Sequence, residues 1–209
     1  NRHWDGFILE AIQNIKSIGE VVRVDVQMSN WSKPGDWWRS SKKISGGLLY
    51  DWGVHLLEYT LQIVDSEIVE VSGYLRSGVW ANDTKWKSDT NEDDGLVVVR
   101  YASGAWSTLA MSNIDSRPGQ FFKITGTKGT CLMDWNKCEI ITHKDNQTIS
   151  VSIPNRKNEG WKLYQNIADH LTKGTKLIIS PEWARRPIHI LDLACQSAKK
   201  GHALKAKYK

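Results

Sequence analysis

Behind Asp5, apolar residues fall at Phe7, Ile8, Ala11, Ile12 and Ile15, the spacing of one helix face, which predicts a first helix ending near Ser17 to Gly19 with Asp5 as its N-cap. The period then changes. From Glu20 to Trp31, Val22, Val24, Val26 and Met28 alternate with Arg23, Asp25 and Gln27, as in a half-buried strand. Ser32 to Ser45 is polar, carries Pro34-Gly35 and reads as a loop, and about Leu48 to Val64 is helical again. Ile68 to Arg76 reads as a strand, and Ser77 to Asp93 as a long loop carrying Trp80 and Trp86. Four strands follow as two hairpins. Gly95 to Tyr101 pairs with Ala105 to Asn113 around Ser103-Gly104, and Gln120 to Thr125 with Thr130 to Trp135 around Gly126-Thr127-Lys128-Gly129. Glu139 to His143 and Thr148 to Ile153 extend the run. The last third is helical, Trp161 to Lys173 and then Glu182 to Lys199, the latter with Ser180 as N-cap, Pro181 at its first position and Gly201 as its stop.

Helices at both ends of a run of hairpin-linked strands predict an α+β fold: a large, mostly antiparallel, open-faced β-sheet with helices packed on one face. Short turns between strands rule out a mainly parallel sheet. With 209 residues and 40% hydrophobic content, the chain is expected to be one domain, residues 1–209.

Charge narrows the partners. The formal net charge is +5, but Lys and Arg are scattered except in Lys199 to Lys209, which reads as a solvated end, and no recognition motif accompanies them, so no nucleic-acid partner is expected. No apolar run approaches the roughly 20 residues of a membrane span and no signal-peptide pattern opens the chain, so a cytoplasmic protein without a membrane partner is expected. Cys131, Cys138 and Cys195 are odd in number and lack zinc spacing, which predicts reduced thiols and no metal site.

Candidate chemistry sits in the second helix. Asp51 and His55 are four residues apart and so share a helix face, and a carboxylate beside an imidazole is a common way to orient a histidine for proton transfer. An ordinary amphipathic helix would place polar residues the same way, with Glu58 and Gln62 continuing the stripe. In the preceding loop, Trp31, Trp37 and Trp38 stand with Arg39, Lys42 and Lys43: either the loop folds back on the core, or its aromatic faces cover a sugar ring while a cation hydrogen-bonds hydroxyls. Gly46 and Gly47 serve as a flexible helix entry or as a place where a ligand nears the backbone. The histidines at 170 and 189 read as packing residues.

The pattern G-G-x-L-x-D-x-G-x-H, present as Gly46 to His55, resembles that of the C-terminal domain of the glucose-fructose oxidoreductase, inositol dehydrogenase and MocA family. Asn1-Arg2-His3-Trp4-Asp5, Gly126 to Gly129 and the closing Ser180-Pro181-Glu182 helix follow in the family's order, so the resemblance covers nearly the whole chain. It implies the substrate-binding and oligomerisation half of an NAD- or NADP-dependent oxidoreductase that moves a hydride to or from a sugar, inositol or related polyol. The N-terminal nucleotide-binding domain and its lysine are expected to be missing, because no G-x-G-x-x-G follows a strand; the fragment alone should hold no dinucleotide and be inactive. In the roles so implied, His55 takes the hydroxyl proton and Asp51 orients its ring or binds a hydroxyl; Trp38, Arg39, Arg2 and Gly47 bind substrate. The family's sheets pair face to face, and Leu96, Val97, Val98 and Val99 put apolar residues on both faces, which implies a homodimer or tetramer through the sheet face. The competing expectation is a non-catalytic carbohydrate- or protein-binding module, or an inactive regulator, of the same fold.

Overall fold

Nine strands lie in one sheet in the order β8-β7-β6-β5-β1-β4-β3-β2-β9. They are β1 (Val21–Ser29), β2 (Ile68–Arg76), β3 (Asp94–Tyr101), β4 (Trp106–Ser112), β5 (Phe122–Gly126), β6 (Gly129–Met133), β7 (Lys137–Lys144), β8 (Gln147–Pro154) and β9 (Leu204–Lys205). The helices are α1 (Gly6–Asn14), α2 (Lys42–Ser45), α3 (Leu48–Ile63), α4 (Trp161–Lys173) and α5 (Pro181–Lys200). This computed structural model describes residues 2–207; Asn1 of the entry pattern and Tyr208 and Lys209 of the basic tail lie outside the described residues. Every neighbouring pair is antiparallel except β1 and β4, which run parallel, and hairpins supply all the antiparallel pairs but β1–β5 and β2–β9. The chain reaches that pairing only by crossing over through α3, β2 and β3, as a parallel pair requires.

Register explains why one face is the core. Side chains alternate across a sheet, so paired residues form rows. One row runs Gly73, Val97, Leu109, Val26, Phe122, Met133 and Cys138 across seven strands, and the next runs Val71, Val99, Ser107, Val24, Ile124, Cys131 and Ile140. The side chains of both rows are buried beneath α1, α3 and α5, with Ile8, Leu56, Leu57, Ile190 and Leu191 closing over them. The opposite face carries Tyr74, Leu96 and Val98, which are only half-buried or exposed. Cys131 and Cys138 meet in the core with sulfurs 3.2 Å apart, and all three cysteines are free thiols.

Local signals set the ends of α5. Ser180 Oγ accepts the Trp183 N–H at 3.2 Å, Pro181 follows, and Gly201 closes the helix at φ 74°. Ser180→Ala is expected to remove that cap and lower stability by about 1 kcal/mol, read as a fall in urea midpoint at unchanged slope.

Three expectations differ from the structure. Asp5 begins α1 but does not cap it, because its carboxylate accepts the Tyr59 hydroxyl at 2.6 Å and pairs with Arg2 at 3.2 Å; α1 stops at Asn14 and continues as a 3-10 turn over Ile15–Ile18. The basic tail is not wholly solvated, since β9 adds to the edge strand β2 through Glu70 and Val71. Finally, α4 buries none of its residues, and Trp161, Tyr164 and Leu171 (77% exposed) line its uncovered apolar stripe. Among the described residues no helix is long and apolar enough to cross a membrane, and no group of residues is arranged to hold a metal ion.

Candidate functional site

The entry to α3 is built around a buried carboxylate. The chain leaves α2 through Gly46 at φ 92° and Gly47 at φ 119°, backbone conformations that favour glycine. Glu92, 3% exposed, then accepts the Leu48 N–H at 3.0 Å and pairs with Lys42. A Cβ on Gly47 would come within 2.6 Å of a Glu92 oxygen, so the close approach that this glycine permits is made by Glu92 rather than by a ligand. The same carboxylate occupies the helix N-terminus and leaves it closed to a second anion. Gly126 to Gly129 offers no substitute, since it joins β5 to β6 with no helix behind it. These residues do not fit a dinucleotide's phosphates.

Just beyond that entry, a hollow of about 260 Å³ opens at the carboxyl ends of the parallel pair. Met28 and Asn30 line it from the β1 side and Met111, Ser112 and Asn113 from the β4 side. Arg39 and Trp37 come from the loop, and Asp51 and Trp52 from the first turns of α3. Asp51 accepts an Arg39 N–H at 3.1 Å, and the guanidinium lies over Trp37 and Trp38, 5.0 and 5.3 Å from the ring centroids. Hydrogen bonds from the segment between β2 and β3 pin the loop, two of them beside the hollow. Asn91 donates to the Arg39 carbonyl at 2.7 Å, and the Trp86 indole donates to the Trp37 carbonyl at 3.0 Å. Trp37 remains 52% exposed, an open aromatic face beside a polar wall.

His55 looks elsewhere. It lines a second hollow of about 140 Å³ with Arg2, His3, Val54, Glu58 and Pro187. Its ring meets Trp52 edge-on at 5.5 Å, and Arg2 lies 4.9 Å from the Trp52 ring, so this indole of the first hollow packs against two residues that line the second. Among the described residues the His55 ring has no hydrogen-bond partner. Burial and the nearby Arg2 cation lower its pKa from the usual 6.5, against the opposing pull of Asp51 and Asp5. At neutral pH the imidazole is uncharged and can accept a proton.

That shift carries a stability consequence. Below pH 6.5 the unfolded chain binds the proton first, so the folded state loses stability as pH falls from 6.5 toward the lower folded value. His189, also lowered by burial, adds to the same slope. His55→Gln is expected to flatten part of it, checked by comparing urea midpoints at about pH 7 and about pH 5.5.

The structure therefore separates what the spacing joined. Asp51 and His55 share a helix face, but Asp51 pairs with Arg39, makes no hydrogen bond to His55 and lines a different hollow. Arg39 and Arg2 each line one of the two hollows, whereas Trp38 lines neither and Trp37 takes the inward place. His189 is buried, and its Nε2 accepts the Lys207 N–H at 3.1 Å, a packing role, whereas His170 is exposed on α4, its Nδ1 2.8 Å from the Thr175 carbonyl oxygen, and does not pack as expected. Sequence reasoning missed Asn30, Asn91, Asn113 and Glu92, polar residues at strand ends and in loops that carry no periodic signal. Proximity to the carboxyl ends of a parallel pair would have found them only once that pair was known.

Comparison with known proteins gives the same frame. The family description "GFO/IDH/MocA C-terminal domain" matches residues 9–132. No curated protein sequence matches the chain. Among solved structures, the NAD-binding protein from Listeria innocua superposes with a TM-score of 0.82 at 22% identity, over 99% of this chain and 65% of that one. Levoglucosan dehydrogenase in complex with NADH and levoglucosan superposes with a TM-score of 0.78 at 17% identity, over 100% of this chain and 64% of that one. The chain thus spans less than two thirds of the length of either, and at such identities the likeness is one of fold.

Proposed function

From the premise that the chain belongs to the GFO/IDH/MocA C-terminal domain family, we propose that it is the substrate-binding half of an NAD- or NADP-dependent oxidoreductase acting on a sugar, inositol or related polyol. The observation that carries this reading is a pair of hollows whose walls meet through Trp52, one walled by Trp37, Arg39 and Asp51, the other by an uncharged, half-buried His55. Trp37 covers the C–H face of a sugar ring, while Arg39 and Asp51 hydrogen-bond its hydroxyls. The His55 ring accepts the hydroxyl proton as the carbinol carbon is oxidised, and returns it in reduction. A nicotinamide dinucleotide, which the described residues would not hold by its phosphates, would supply the hydride acceptor. The isolated chain is inactive. Its levoglucosan-bound structural relative supports a sugar as the substrate class.

A homodimer or tetramer through the open sheet face fits Tyr74, Leu96 and Val98 there, and the free thiols fit a cytoplasmic setting. A second reading, a non-catalytic carbohydrate-binding module, draws on one observation: Asp51 is committed to Arg39 and leaves His55 without a carboxylate partner. The two part in one experiment. The full-length protein is offered levoglucosan, myo-inositol and a panel of aldoses and polyols with NAD or NADP, following nicotinamide absorbance. Reduction of the nicotinamide supports the dehydrogenase, and saturable sugar binding without reduction overturns it.

A further inference from the structure

The carboxylate-held imidazole that the sequence places at Asp51 and His55 exists in this fold at a different pair. Glu58 follows His55 by one turn on α3 and is 9% exposed. Both of its oxygens are engaged: Oε1 lies 2.6 Å from His3 Nδ1, and Oε2 accepts the Trp183 indole N–H at 2.7 Å. The His3 ring is flanked edge-on by Trp4 at 4.8 Å and by Trp183 at 6.0 Å. With Glu58 Oε1 accepting from Nδ1–H, Nε2 is the acceptor of an uncharged His3 ring. Among the described residues nothing hydrogen-bonds that second nitrogen. His3 and Glu58 line the same hollow as His55 and Arg2.

We infer that His3 touches the substrate in this hollow, its Nε2 accepting a hydrogen bond from a hydroxyl, and that Glu58 is the positioning residue that fixes the ring's tautomer. This rests on the reading that a hydroxylated substrate enters the hollow beside His55. The two imidazoles then divide the work. His55, with no hydrogen-bond partner among the described residues, takes the proton, and His3, held on three sides, orients the molecule that gives it up. Trp4 and Trp183 would flank any flat ring, whereas the carboxylate at Nδ1 holds an imidazole in one orientation and leaves Nε2 facing away from it.

The test uses the full-length protein with whichever of the sugars above it turns over. His3→Phe keeps a flat ring between the two indoles but removes both nitrogens; KM is expected to rise about tenfold with a smaller change in kcat. Glu58→Gln is expected to give a similar rise in the wild-type background and no further rise in the His3→Phe background, the non-additivity of two residues acting as one unit. Nitrogen-15 spectra of the imidazoles are expected to show His3 as a single Nδ1–H tautomer in the wild type and as a mixture in Glu58→Gln. An unchanged KM in His3→Phe, additive effects of the two substitutions, or a mixed tautomer in the wild type would each overturn the inference while leaving turnover intact. A wild type that turns over none of the sugars overturns the dehydrogenase reading itself, and this inference with it.

Discussion

Replacing His55 by Ala in the full-length protein is expected to lower kcat by about a thousandfold, the middle of the range for removing a positioned general base. The ring is half-buried and hydrogen-bonds to none of the described residues, so its loss strands no partner and leaves α3 standing. Dinucleotide affinity is expected to be unchanged, because the α3 N-terminus is closed by Glu92 and His55 lies beyond it on the helix. Initial rates over a range of substrate, with dinucleotide binding followed by fluorescence, check both halves of the expectation. Turnover within threefold of wild type would remove His55 from the chemistry. Asp51→Asn is a useful contrast: its carboxylate serves Arg39 and the first hollow, so its effect should fall on KM.

The largest loss of stability is expected from one added methyl group. A Cβ on Gly73 would lie 2.1 Å from the Ala194 carbonyl oxygen and 2.7 Å from its Cα, and both atoms belong to the α5 backbone, which cannot turn aside as a side chain could. Gly73→Ala must therefore push α5 off β2, and in doing so breaks the 3.0 Å bond from the Gly73 N–H to Ser197 Oγ. The expected cost is about 3 kcal/mol, the upper part of the range for overpacking a tight core. Urea denaturation measures it. A midpoint equal to that of the wild type would mean that helix and sheet are not held at this distance in solution.

How far these features were legible depends on how local their causes are. The ends of α5 could be read because Ser180, Pro181 and Gly201 act within a turn of themselves. Strand alternation in β1 could be read because Val24 and Val26 report one face directly. Position within the sheet could not: nothing near Val21–Ser29 says that its neighbour is Trp106–Ser112 rather than the strand that follows it in sequence. The site suffered from the same limit. Asp51 and His55 were visible by helical spacing, whereas the partners that decide their roles, Arg39, Trp52, Arg2 and Glu58, depend on where a loop, an N-terminal turn and a helix meet. Asp5 was visible as a cap and is instead spent on Tyr59, since a buried hydroxyl competes well for a short carboxylate.

β1 sits between β5 and β4, joining two ladders that are each contiguous in sequence, β2 to β4 and β5 to β8. Each ladder can zip from its own turns on a fast local timescale, but the two stay separate until a distant N-terminal strand slots between them, and closing so long a loop is slow. During that delay both inner borders present unpaired amides to solvent and to other chains. An unfolded chain is thus most prone to aggregate before its middle strand is paired, and a substitution that weakens β1 would do more harm to yield than to the finished protein's stability.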